Sequence, residues 1–165
     1  MRHKITVISA VLLAALLLFV GCTPKDAGMV ILTGLEKEEL PQGDLPCRSY
    51  YQGETLMVPL CAVAQALGYR AEWDAQTKTA IIDDEYIQKA TVTAGSKTVP
   101  FEGHLKIIKM AREAELAVAP AVQQGVLYVP AAFFTEFLND VEYGEGIITI
   151  VPSMAYLDYA MGLLG

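Results

Sequence analysis

Leu56-Met57-Val58-Pro59 and, further along, Leu127-Tyr128-Val129-Pro130 are two versions of one short stretch, an apolar run that ends on a proline. The residue before a proline is pushed toward extended backbone, so each run reads as a strand through Val58 or Val129. The proline itself suits the first turn of a helix, where an N–H would have no partner to lose. After Pro59, Leu60, Val63, Ala64 and Leu67 recur at helical spacing; after Pro130, Ala131, Phe134 and Leu138 share a face with Phe137 close by. Gly68 and Asn139, residue types that tolerate left-handed backbone, stand where each helix should stop. Glu72-Trp73 and Glu142-Tyr143 then open the next extended runs. Helices this short do not persist alone and need a sheet to lie on. The expected fold class is therefore α+β, with antiparallel strands wrapping two short helices in a duplicated strand-helix-hairpin unit.

Outward from these stretches, Thr55 to Val58 pairs with Cys47 to Tyr50 across a turn at Gln52-Gly53-Glu54. Arg70 to Trp73 and Thr79 to Asp83 alternate around the polar turn Asp74 to Lys78, followed by strands at Tyr86 to Thr93 and Thr98 to Phe101. In the second half Ala117 to Val122 turns at Gln123-Gln124-Gly125 into Val126 to Val129. Val141 to Tyr143 and Ile147 to Val151 close the chain's last hairpin around Gly144-Glu145-Gly146. Pro152-Ser153 supplies a helix start, and Met154, Leu157, Met161 and Leu164 at helical spacing predict a terminal helix over 153–165 that docks on its own domain.

The N-terminus reads as an export signal: Arg2, His3 and Lys4 precede an apolar run from Ile5 to Val20 that stops at Gly21-Cys22. Phe19-Val20-Gly21-Cys22 resembles the lipobox of bacterial lipoproteins, with Phe19 where that pattern prefers leucine. The resemblance implies a signal over 1–21, lipidation of Cys22 and attachment to the outer side of a bacterial membrane. Residues 22–45, mixed in charge and carrying prolines and glycines, read as a tether in which Met29 to Leu32 is an edge-strand candidate. A folded domain over 46–152 follows. Without residues 1–21 the chain has ten Lys and Arg against nineteen Asp and Glu, a net charge of −9 that repels phosphate backbones and excludes nucleic acid as a partner. With Cys22 assigned to lipid, Cys47 and Cys61 remain as an even pair, open either to a disulfide or to two buried thiols.

Leu56-Met57-Val58-Pro59-Leu60, Ala66-Leu67-Gly68, Glu72-Trp73-Asp74, Ala119-Pro120 and Tyr128-Val129-Pro130 together are similar to the copper amine oxidase N-terminal-like domain of secreted and surface-attached bacterial proteins. The resemblance spans Leu45 to Pro152. Cys61 and Ala132 occupy the places where the family usually has arginine, so no role of that arginine carries over. What the resemblance implies is a stalk-type module separate from any catalytic part.

The residues agree with a non-catalytic reading. Once the signal is removed His104 is the sole histidine, and one imidazole cannot supply the cluster that copper or catalytic zinc requires. Asn139 is followed by Asp140, not by a quinone-forming tyrosine, and no glycine-rich phosphate loop occurs. Asp83-Asp84-Glu85, the densest acidic cluster, lacks the alternating pattern of a calcium loop and reads as a solvated turn. No catalytic, cofactor or metal residue is expected. Lys106, Lys109 and Arg112, at three-residue spacing, form a candidate basic face toward anionic wall polymer or lipid headgroups, with a plain solvated face as the alternative. The expected function is a non-catalytic cell-envelope lipoprotein, a surface binding or assembly module whose partner is cell-wall polymer or another envelope protein. Its rival is a small envelope hydrolase acting on carbohydrate or peptidoglycan through carboxylates.

Overall fold

Alternation of apolar and polar side chains, which lets a strand bury one face and wet the other, governs most of the folded chain. The computed structural model describes residues 30–32, 48–104, 111–144 and 147–152. In order the elements are β1 (Val30–Leu32), β2 (Tyr50–Gln52), β3 (Thr55–Pro59), α1 (Leu60–Ala66), β4 (Arg70–Asp74), β5 (Thr79–Asp83), β6 (Gln88–Thr93) and β7 (Thr98–Gly103). β8 (Ala111–Glu115), β9 (Ala121–Gln123), β10 (Val126–Pro130), a 3₁₀ helix (Ala131–Phe137), β11 (Asn139–Gly144) and β12 (Ile147–Pro152) complete them. The fold is α+β-like, mostly antiparallel sheet with two short helices.

β4 to β8 form a five-stranded antiparallel meander in chain order. Ala80, Ile82, Ala90, Val92, Val99, Phe101 and Ala114 point into the core, and the residues between them face out. A four-stranded sheet runs β2-β3-β10-β9, and at its centre β3 and β10 pair antiparallel with Val58 opposite Val129. These two strands are apolar on both faces. Leu56 and Val58 join the main core, while Met57 packs with Tyr50 and Tyr128 in a second cluster where the tyrosine rings meet edge-on at 5.0 Å. The third sheet, β1-β12-β11, has β1 parallel to β12 at its edge, as Met29 to Leu32 suggested.

The main core centres on aromatic rings. Phe137 stacks within 5.4 to 5.6 Å of Tyr69, Phe101 and Phe133, so the 3₁₀ helix, the start of β4 and the five-stranded sheet meet at one side chain. α1 ends as its sequence predicts: Gly68 takes φ +83°, the N–H of Tyr69 donates to the carbonyl of Ala64, and that of Gly68 donates to Gln65. This is the Schellman arrangement, which satisfies carbonyls that the last turn leaves open.

The second helix departs from expectation in two ways. It is 3₁₀ over seven residues, so Phe133 is buried while Leu138 is 41% exposed, in place of the 3.6-residue stripe through Leu138. The left-handed residue is Leu138 (φ 57°, ψ 37°), not Asn139. Asn139 instead starts β11 with its amide buried, donating through Nδ2 to the carbonyls of Phe134 (3.0 Å) and Phe137 (3.4 Å) and to the Tyr69 hydroxyl (2.9 Å). A side-chain amide thus does for this helix what backbone N–H groups do for α1, and to reach inward it must sit one residue beyond the bend. β2 begins at Tyr50, and β6 at Gln88, later than the sequence boundaries suggest. The 1–21 signal, most of the 22–45 tether and the 153–165 helix lie outside the described residues.

Candidate functional site

Between β5 and β6 the acidic turn is solvated at Glu85 and Tyr86, as its composition suggests, but not at Asp84. Asp84 is only 2% exposed, and its Oδ1 accepts the N–H groups of Tyr86 (3.0 Å), Ile87 (2.7 Å) and Gln88 (2.9 Å). Its own N–H donates to the carbonyl of Gln88, while Glu85 takes left-handed backbone at φ 64°. Three backbone donors converge on one oxygen, which is why the strand cannot start before Gln88. The other oxygen, Oδ2, is buried with no hydrogen-bond partner among the described residues. Burial pushes the Asp84 carboxyl above its ordinary value, against the opposing pull of the three N–H groups and of His104.

His104 joins this turn from the end of β7. Its backbone N–H donates to the carbonyl of Ile87, and its Nε2 lies 2.6 Å from Asp83 Oδ1, an oxygen that also accepts the backbone N–H of Glu85. Asp83, Asp84 and His104 each offer one atom to a group lying within 4.8 Å of one another. Nothing in the spacing of 83, 84 and 104 announces this; antiparallel pairing of β6 with β7, which sets Gln88 opposite Gly103, returns the chain to the turn.

Arg112 goes elsewhere. It lies on β8, not on a helix, and its guanidinium sits 4.0 Å over the Phe101 ring. Nη1 donates to Glu136 Oε2 (2.6 Å), and Nη2 donates to the Glu136 carbonyl (3.0 Å) and to Gln88 Oε1 (3.3 Å). It therefore clamps β8 and β6 to the end of the 3₁₀ helix. Lys106 and Lys109, its companions in the proposed basic face, lie outside the described residues, as do Cys22 and Cys47. Cys61 is a half-buried free thiol on α1, pushed up by burial. Trp73 is partly buried against the core, whereas Tyr143, its counterpart in the repeat, is 57% exposed.

The outer face of the five-stranded sheet carries the charges and hydroxyls that alternation excludes from the core. Thr79 meets Thr93 (3.2 Å), Lys89 pairs with Glu102 (2.9 Å) and Thr98 donates to Glu115 (3.1 Å). At one edge Arg70, Glu72, Ile81 and Asp83 line a shallow hollow of about 220 Å³. The two acids there are already engaged, Glu72 with Arg70 at 2.7 Å and Asp83 with His104. Among the described residues no helix is long and apolar enough to cross a membrane.

Comparison with known proteins supplies a family. A protein named protease inhibitor from Brevibacillus choshinensis is 31% identical over 99 residues, covering 59% of this chain but only 28% of that relative. This chain thus accounts for a minor part of that protein's length. No solved structure matches. The family model described as copper amine oxidase N-terminal domain matches residues 43–151, about two thirds of the chain and the whole strand-helix core described above. On that match, the chain belongs to the copper amine oxidase N-terminal domain family.

Proposed function

We propose that this protein is a non-catalytic binding module of the bacterial cell envelope, lipid-tethered through Cys22, with the outer face of the five-stranded sheet as its contact surface. The observation that carries the reading is that face itself. It carries threonine hydroxyls, charges of both signs and the exposed Ile81 side chain (41%), a surface suited to an extended polar polymer of the wall or to another envelope protein. The engagement of Glu72 and Asp83 supports a non-enzymatic role over the carboxylate hydrolase, since a glycosidase keeps two acids facing its substrate across a cleft. The facing of Val58 and Val129 across β3 and β10 also supports reading the two strand-helix-hairpin units as a duplication.

Two experiments test this reading. The Cys22→Ser chain should leave the membrane fraction, and equal membrane retention of wild type and variant sinks the tether. The released chain should co-sediment with isolated cell wall, and Ile81→Glu or Thr91→Glu on the outer face should abolish that. Absence of binding to wall polymer and envelope protein alike rejects the module. A second reading, contact with a proteinase, is favoured by the relative's name. It predicts stoichiometric inhibition of a secreted proteinase by the released chain.

A further inference from the structure

We infer that Asp83, Asp84 and His104 form a binding site for one divalent first-row transition ion of the Zn²⁺ class, with Asp84 as the buried floor and the other two as the mouth. The lone histidine excludes an imidazole cluster, but one nitrogen and two carboxylates from separate strand ends make a mixed N/O donor set of the kind such ions accept. One atom from each residue already lies within 4.8 Å of the others. Two ligands at about 2.1 Å from a tetrahedral ion lie about 3.4 Å apart, so the widest pair has to close by up to about 1.4 Å, while His104 Nε2 and Asp83 Oδ1, now 2.6 Å apart, have to open to admit it.

One oxygen of Asp84 points to an absent ligand. Its side chain is almost wholly buried, and although Oδ1 is filled by three N–H groups, Oδ2 is sealed from solvent with no partner. A buried carboxylate oxygen without a donor is costly, and a cation shared with Asp83 and His104 removes that cost. The mouth is accessible, since the side chains of His104 and Asp83 are 33% and 22% exposed. Its backbone is also held in place: the main-chain N–H of His104 donates to the carbonyl of Ile87, and the turn is fixed around Asp84 Oδ1. To hold the ion, His104 binds as a neutral imidazole with its ring proton on Nδ1 and the Nε2 lone pair turned to the metal, and both carboxylates bind ionised. Water completes the coordination. A nitrogen ligand disfavours Ca²⁺ and Mg²⁺, which prefer oxygen alone.

The test uses the full chain in detergent, with Cys22, Cys47 and Cys61 changed to serine so that no thiol competes. Equilibrium dialysis should find one Zn²⁺ per chain, and Co²⁺ should give the visible absorption of a nitrogen-oxygen site. Asp84→Asn, which keeps the oxygen that holds the turn, and His104→Gln, at the surface, should each weaken binding at least about tenfold. His3→Gln should change nothing. Melting without metal reports whether each variant is folded, and if Asp84→Asn is not, His104→Gln carries the test. The site is overturned if the parent binds no stoichiometric zinc, if His104→Gln binds as tightly as the parent, or if Ca²⁺ binds in preference to Zn²⁺.

Discussion

At the scale of single residues, Asp84 does the most with the least warning. Its carboxylate organises three backbone amides, so Asp84→Ala strands those donors in a closed turn and should cost about 2–3 kcal/mol. Asp84→Asn retains an oxygen at Oδ1 and sheds the burial of a charge, so it should be far milder. Urea unfolding in the presence of chelator distinguishes the two, and equal losses would show that the N–H bonds are not what matters. Leu138 makes the opposite case. A leucine in left-handed space is strained by about 1–2 kcal/mol, and a glycine there gives back roughly 0.5–1 in chain entropy. Because Leu138 is 41% exposed, little packing is lost, and Leu138→Gly should raise stability by about 0.5–1 kcal/mol in the same assay. A fall would relocate the bend. The aspartate's role and the leucine's strain were illegible in sequence for one reason: Asp83-Asp84-Glu85 looks like any polar turn, and which of Leu138 and Asn139 bends depends on where the asparagine amide must reach.

At the scale of elements, the two helices began from matching prolines and ended by different means. α1 closes on Gly68, whose added Cβ would meet nothing within 4 Å, so any penalty there is one of backbone conformation and not of crowding. Gly68→Val should therefore destabilise by about 1–2 kcal/mol, read by thermal melting, while Gly68→Asn should recover part of the loss. An unchanged valine variant would mean that the cap is not needed. The 3₁₀ helix closes on Asn139 and is pinned from outside by Arg112 and Gln88 through the Glu136 carbonyl. Proline, apolar spacing and glycine made the first helix legible. The second was legible only in place, because its winding follows from burying Phe133, Phe134 and Phe137 together against Phe101 and Tyr69, a demand that no local periodicity states.

At the scale of the whole molecule, one core holds side chains from all three sheets: Val58 and Val129 from the four-stranded sheet, Ile82 and Phe101 from the meander, and Ile148 and Ile150 from β12. Shared burial of this kind predicts a single cooperative transition, in which Trp73 fluorescence and far-ultraviolet circular dichroism melt together. Phe137→Ala, which removes the ring that Tyr69, Phe101 and Phe133 all touch, should cost about 3–5 kcal/mol and lower both midpoints equally. Midpoints that separate would divide the domain. The chain by itself determined most of its strands, though not β8, together with their alternation, the two Val-Pro helix starts, the Gly68 cap and the family, because each rests on residues near in sequence and on rules of local sterics and periodicity. Only the tertiary structure decided that Arg112 turns inward, that Asn139 meets Tyr69, and that Asp83 and Asp84 meet His104. Those contacts join residues 20 to 70 positions apart, and which distant side chains meet is set by how strands pair and pack, not by any spacing along the chain.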